Sequence, residues 1–263
     1  MKNLILPFHI LYSIYTYTMY FILMVPVILI FFPVGLIPRN RRMIIVFYIN
    51  TIWFSTWGLL TGIFMRSKGL EKIERGKDYV MISNHVNMMD MNMIGSMIKH
   101  PFQPLIKKEL LSIPLFGMLF RKTAVAVDRS SPESRRASFN TMSSRLDEGT
   151  SVVFFPEGTR NTTKAPLGPF YAGAFRLAVA NEVPIVPLLL IDVRKVQKPG
   201  SWLIQPGIVE MHVGDPIPTK GLTAEDVPDL MKRIHQLYWD YLIEHDEVFK
   251  DFEGEKVAAL TGK

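Results

Sequence analysis

Two short polar clusters carry the chemistry that this chain of 263 residues offers. Ser83-Asn84-His85-Val86-Asn87-Met88-Met89-Asp90 holds an imidazole and a carboxylate five residues apart, and Phe155-Pro156-Glu157-Gly158-Thr159-Arg160 sets a carboxylate, a glycine and a guanidinium in one turn. A neutral imidazole near pH 7 can take a proton from a hydroxyl. A carboxylate on its other nitrogen fixes the tautomer and stabilises the imidazolium that forms. His85 is therefore the candidate general base and Asp90 its orienting partner. Glu157 either accepts from a neighbouring backbone amide or from Arg160 and shapes the site, or caps the turn that follows. Gly158 lets the backbone of Thr159 and Arg160 approach a ligand closely. Arg160, and Arg129 upstream of it, carry forked guanidinium groups suited to a phosphomonoester. The His-Asp spacing alone is a weak motif. His235 and Asp240 repeat it inside a strongly helical stretch, where five residues turn the chain by about 140° and point the side chains apart, so that copy reads as structural.

Both clusters need elements to hold them. Tyr79-Val80-Met81-Ile82 and Ser151-Val152-Val153-Phe154-Phe155 are short runs rich in β-branched and aromatic residues, which read as buried strands. Each cluster then sits at a strand's carboxyl end, where open α/β sheets bind ligands. Further strands are expected near 105–106, 124–127 and 185–190, with helices near 88–98, 109–120, 132–146 and 172–180. Such alternation predicts an α/β fold, a mostly parallel sheet flanked by helices. Ile208 to Val213 alternates as a half-exposed edge strand would. Thr223 with Asp226 reads as a helix cap, followed by an apolar face of Val227, Leu230, Ile234, Leu237 and Tyr241. Residues beyond Phe252 are expected to fray.

At this point a resemblance enters. Asn84-His85 with Asp90, and the Phe155–Arg160 turn, are similar to the first and third signature blocks of the 1-acyl-sn-glycerol-3-phosphate acyltransferase (lysophosphatidic acid acyltransferase, PlsC-like) family. Ala124-Val125-Ala126-Val127-Asp128-Arg129 resembles the second block and Val183-Pro184-Ile185-Val186-Pro187 the fourth, so the likeness runs from about residue 68 to 215. It implies a membrane enzyme that moves an acyl group from acyl-CoA or acyl carrier protein (ACP) to the sn-2 hydroxyl of lysophosphatidic acid, with no bound cofactor and no metal. Lys107 resembles a further phosphate contact. Tyr171 and Ala172 stand where the family has basic residues, which bears on head-group choice, and Ala126 replaces a usual aromatic, which bears on the acyl pocket. A lipid hydrolase is disfavoured because there is no Cys and no Gly-x-Ser-x-Gly elbow. A non-catalytic lipid-binding protein remains as the rival from another class.

Composition places this chemistry at a membrane. Leu4 to Ile37 and Met43 to Met65 carry no formal charge, and each exceeds the roughly 20 residues that span a bilayer core. Pro26, Pro33 and Pro38 are expected to kink or end helices there. Trp53, Trp57, Tyr12, Tyr15, Tyr17 and Tyr20 are expected at head-group level. Two complete spans would put Arg39, Arg41 and Arg42 opposite a cytosolic domain, which favours a hairpin in one leaflet, or one span with an interfacial helix, over two spans. Six basic residues precede the first acid, Glu71, so the net charge of +6 belongs to the membrane end and suits anionic head groups rather than nucleic acid. The absence of Cys excludes disulfides and thiolate chemistry and permits a reducing compartment. The expected organisation is a membrane anchor over 1–67, a catalytic domain over 68–252 and a tail over 253–263. The expected location is the cytoplasmic face of the inner or plasma membrane.

Overall fold

The computed structural model describes residues 2–34, 36–98, 100–113, 116–249 and 252. The tail expected to fray lies outside them. Two long helices come first, α1 (Lys2–Val34) and α2 (Arg39–Thr61), followed without a spacer by strand β1 (Ile63–Lys68). The chain then alternates: β2 (Val80–Ser83), α3 (Asp90–Met97), β3 (Phe102–Lys107), α4 (Phe116–Thr123), β4 (Val125–Val127), α5 (Pro132–Asp147), β5 (Ser151–Phe154), α6 (Gly173–Ala180), β6 (Ile185–Ile191), α7 (Val193–Val196), β7 (Gly207–Val213) and α8 (Val227–His245). The sheet order is β1-β7-β6-β2-β5-β3-β4. Pairings are parallel except between β6 and β7. The carboxyl ends of β2, β3, β4, β5 and β6 therefore share one edge of the molecule.

Alternation along the strands explains the three layers, because successive side chains leave opposite faces of a sheet. Met81, Val153, Val186, Leu188 and Leu190 pack with Trp53, Phe54 and Trp57 of α2 and with Met93 and Ile94 of α3. Their neighbours Val80, Ile82, Val152, Ile185 and Leu189 pack on the other face against Met142 of α5, Phe175 of α6 and Ile234 and Tyr238 of α8. At roughly 1.5–3 kcal/mol for each fully buried large apolar side chain, both faces contribute heavily. The hairpin of α1 and α2 is thus one layer of the domain.

That arrangement corrects several expectations. Trp57 is fully buried and Trp53 and Tyr20 nearly so, inside the protein rather than at a head-group belt. Pro26 does not break α1, which runs on to Val34. The strand Ile63–Lys68 begins inside the second apolar run, and by pairing with β7 it takes the edge position expected for Ile208 to Val213. Residues 109–120 form a short 3-10 turn over Lys108–Ser112 and then α4, not one helix. In α8 the buried line runs Val227, Leu230, Ile234, Tyr238, Leu242, while Leu237 is exposed. Tyr238 fixes that rotation: its hydroxyl donates to Ile82 O at 2.6 Å and accepts from Leu188 N at 3.0 Å, bridging β2 and β6 beside Pro187, which has no N–H of its own. Asp226 accepts from Thr223 N and Oγ1, so the carboxylate reaches back and the threonine hydroxyl does not cap the helix.

Outside the core, α1 is built inside out. Ser13, Thr16 and Tyr20 face inward, whereas Phe8, Leu11, Ile14, Phe21, Ile22, Val25 and Leu29 are exposed. Trp57 Nε1 donates to Thr16 O at 3.0 Å. Tyr12 OH donates to Thr61 O, and the Tyr20 and Trp53 rings lie 4.9 Å apart, so the two helices run antiparallel. Polar groups of α1 also meet the segment after α7. Ile204 N donates to Ser13 Oγ at 2.9 Å, Tyr17 OH donates to Trp202 O at 3.1 Å, and Gln197 Nε2 donates to Tyr17 OH at 3.1 Å. Stretches Leu6–Phe31 and Arg41–Thr61 are long and apolar enough to cross a bilayer, by length and composition.

Candidate active site

Both polar clusters arise where a central strand runs out of ladder. At the end of β2 the side chain of Asn84 imitates a strand residue toward β6, donating to Leu190 O at 2.9 Å and accepting from Leu190 N at 2.8 Å. The main chain is then free to turn. Its turn, Val86 to Met89, is built on Asp90, the first residue of α3. One carboxylate oxygen, Oδ2, accepts from Val86 N at 2.7 Å, from Asn87 N at 2.8 Å and from His85 Nδ1 at 2.8 Å. Asn87 braces the same turn, accepting from Met89 N and donating to Gln197 Oε1. Asp90 is fully buried; the three donors on Oδ2 offset part of its lost hydration, while Oδ1 has no partner among the described residues.

A carboxylate can only accept, so His85 Nδ1 carries the hydrogen and Nε2 keeps its lone pair. No partner occupies Nε2 among the described residues. The ring stacks on Phe155 at 4.0 Å and 12°, and its side chain is 19% exposed, enough for a hydroxyl to reach it. The spacing that brings imidazole and carboxylate together here does the opposite in α8. There Gln236 donates to Asp240, while His235 Nε2 donates to Gly168 O at 3.0 Å.

Glu157 links the clusters. From the turn after β5 its carboxylate accepts from His85 N at 2.8 Å and from Gly168 N at 2.7 Å. Of the roles considered for it, acceptor from backbone amides is the one the geometry gives, with no bond to Arg160. Burial, at 3% exposure, pushes its pKa up to about 7; the two amides and the Arg194 charge pull it back, and the Asp90 charge adds to the rise. Asn161 N donates to His85 O at 2.7 Å, so both backbone polar groups of His85 are held by the segment that follows β5. Neither Asn161 nor Gly168 stands out in the sequence. Only an apolar strand ending in Pro156-Glu157-Gly158 hints that the following loop must fold back.

Gly158 has φ of +69°, and a Cβ there would lie 3.0 Å from the Tyr171 ring and 3.7 Å from an Arg129 Nη1. Arg129, two residues past β4, is thereby brought beside the Glu157-Gly158 turn. Partial burial lowers its pKa, while Glu109 and Tyr171 act in the opposite sense. Lys107 ends β3 opposite Val127 of β4, so it shares that edge. Thr159 and Arg160 continue the turn. Arg129, Arg160 and Lys107 are exposed, and none makes a salt bridge among the described residues. The basic groups lie at the same strand-end edge as His85, and Tyr171, 67% exposed, covers Gly158 where the resemblance expected a basic side chain.

Comparison with known proteins agrees with this architecture. Residues 64–191 match the family model described as Acyltransferase. A putative 1-acyl-sn-glycerol-3-phosphate acyltransferase of Caenorhabditis elegans is 34% identical over 181 residues, covering 67% of this chain and 64% of that protein. An uncharacterized acyltransferase of Schizosaccharomyces pombe is 32% identical, with 66% of its length covered. The chain thus spans a little under two thirds of these two relatives. The 1-acyl-sn-glycerol-3-phosphate acyltransferase of Haemophilus influenzae is 33% identical over 200 residues, covering 74% of this chain and 81% of that one. The crystal structure of the lysophosphatidic acid acyltransferase PlsC from Thermotoga maritima superposes with a TM-score of 0.74 over 93% of this chain and 97% of that one; at 21% identity this speaks for the fold. A relative one-third identical along four fifths of its own length decides the matter: the chain belongs to the 1-acyl-sn-glycerol-3-phosphate acyltransferase family.

Proposed function

We propose that the protein transfers an acyl group from acyl-CoA or acyl-ACP to the sn-2 hydroxyl of 1-acyl-sn-glycerol-3-phosphate, giving phosphatidic acid at a membrane surface. The observation that carries the reading is the 2.8 Å bond between His85 Nδ1 and Asp90 Oδ2, which leaves Nε2 as a free base at the strand ends. In this reading Nε2 takes the hydroxyl proton as the alkoxide oxygen attacks the thioester carbonyl. The tetrahedral intermediate collapses, the C–S bond breaks, and the imidazolium returns the proton to the departing thiolate. Asp90 holds the ring and balances the transient positive charge. In this reading backbone amides near the two motifs would hold the developing oxyanion, an effect worth about 3 kcal/mol per donor. Arg129, Arg160 and Lys107 hold the acceptor's phosphate.

The apolar outer face of α1 and α2 supports a membrane location, since its side chains are large and exposed around a hairpin that docks by its other face. This keeps the site where acceptor and product dissolve, and the cytoplasmic face, where both acyl donors are made, is part of the proposal. The test is acylation of lysophosphatidic acid with labelled acyl-CoA and acyl-ACP by membranes holding wild-type protein, His85→Ala and Asp90→Asn. His85→Ala should lose at least a thousandfold in kcat while staying folded and membrane-bound, and Asp90→Asn a hundredfold or more. Substantial turnover by His85→Ala removes the base assignment, and free fatty acid in place of ester turns the reading to hydrolysis.

A further inference from the structure

The segment 161–168 supports His85 from two sides, through Asn161 N on His85 O and through Gly168 N on the Glu157 carboxylate that also takes His85 N. It is irregular, so no ladder of its own holds it. Its restraint comes from α8, where His235 Nε2 donates to Gly168 O at 3.0 Å, and from α7. Arg194, only 6% exposed, donates from Nη1 to Thr163 O at 2.7 Å and from Nη2 to Ala165 O at 2.9 Å. The guanidinium also lies 5.0 Å from the centre of the Phe249 ring. Within the segment Asn161 Nδ2 donates to the same Ala165 O at 3.0 Å, and Asn161 Oδ1 accepts from Thr163 N and Oγ1. Arginines are seldom buried without a carboxylate to pair with. Among the described residues this one forms no direct salt bridge, although the Asp246 and Glu157 charges favour its ionised form, and its two nitrogens go to main-chain carbonyls two residues apart, a match for a planar fork and not for a single ammonium.

We propose that Arg194 is a positioning residue for acyl transfer: by clamping the carbonyls of Thr163 and Ala165 it fixes Asn161 and Gly168, and through them the backbone of His85. The imidazole is then set by Asp90 through its side chain and by Arg194, at one remove, through its main chain. This role rests on the function proposed above, and the test separates the two. Arg194→Met keeps length and removes the donors; Arg194→Lys keeps the charge without the fork. Both are assayed as full chains in lipid nanodiscs beside wild type and His85→Ala, with hydrogen exchange measured on the same samples. Displacement of a catalytic group by about 1 Å can cost on the order of 100-fold in rate. Arg194→Met should therefore lose roughly 10- to 100-fold in kcat with both KM values within about threefold, and exchange in 157–168 should rise at least tenfold while β2, β5 and β6 stay protected. Arg194→Lys should recover part of both losses. Wild-type kcat in Arg194→Met, unchanged exchange in 157–168, or loosening across the whole sheet would each overturn the proposal. If wild type itself makes no phosphatidic acid, the proposed function fails, and the exchange pattern alone still decides for or against the clamp.

Discussion

Glu157 offers a sharp test of the site's electrostatics. Its carboxyl is pushed from 4.5 to about 7 by burial, so the folded protein holds a proton that the unfolded chain has already released between those values. Stability must then fall as pH rises through this window, because the folded state binds the extra proton. That rise in the carboxyl's pKa corresponds to about 3 kcal/mol in full, and to roughly 2–3 kcal/mol between pH 5 and 8.5, where part of the titration of the unfolded group is already complete. Asp246, also raised by burial to about 6, tilts the wild-type curve in the same direction, so the variant Glu157→Gln is needed to isolate one group. The glutamine keeps one acceptor for the two amides of His85 and Gly168 and leaves the other unpaired, a penalty of about 1–3 kcal/mol that does not depend on pH. Thermal unfolding of both proteins in the same nanodiscs from pH 5 to 8.5 should show wild type ahead at low pH and the gap closing by roughly 2–3 kcal/mol, or about 5–10 °C, at the alkaline end. Parallel curves, or a gap that widens with pH, would refute the raised carboxyl.

Two further outcomes follow from the geometry. Arg129→Ala and Arg160→Ala should each raise KM for lysophosphatidic acid about tenfold or more, from the loss of a charge-assisted bond of about 1.5–3 kcal/mol, with kcat little changed; unaltered KM in both would remove the phosphate assignment. Tyr238→Phe leaves Ile82 O and Leu188 N unpaired in the core, so unfolding should become easier by about 2–3 kcal/mol, read from a denaturant midpoint, and a shift under 0.5 kcal/mol would show the hydroxyl to be dispensable.

The sequence revealed most where a strand ended in unusual polar groups. Asn84-His85 and Glu157-Gly158 follow short apolar runs too brief for helices, and the parallel sheet then puts both at one edge. It revealed least where apolarity is uniform. Ile63–Lys68 continues the hydropathy of α2, and only the αL turn at Gly62 separates them, so helix and strand share one apolar run. Trp53 and Trp57 have the composition of a head-group belt, and only packing against the sheet puts them inside. In α8, steps of three from Ile234 select Leu237 and steps of four select Tyr238; both are helical spacings, and the bond to β2 chose between them. Between Lys108 and Phe120 the overlooked signal was Pro114, which disfavours helix at the residue before it. Asn161, Gly168 and Arg194 were hidden because their partners are main-chain atoms distant in sequence, which leave no spacing to read.

The hydrogen bonds of Gln197 tie α1 to the turn that carries His85 over a very short path. Its amide nitrogen meets Tyr17 of α1 and its amide oxygen meets Asn87, whose own N–H rests on Asp90. A fragment shortened to begin at the first strand would therefore lose more than its anchor, since the turn carrying the imidazole would surrender an outer brace. In the membrane enzyme proposed above, turnover should accordingly vary with bilayer thickness and detergent even at saturating lipid, as the tilt of α1 tugs on that amide.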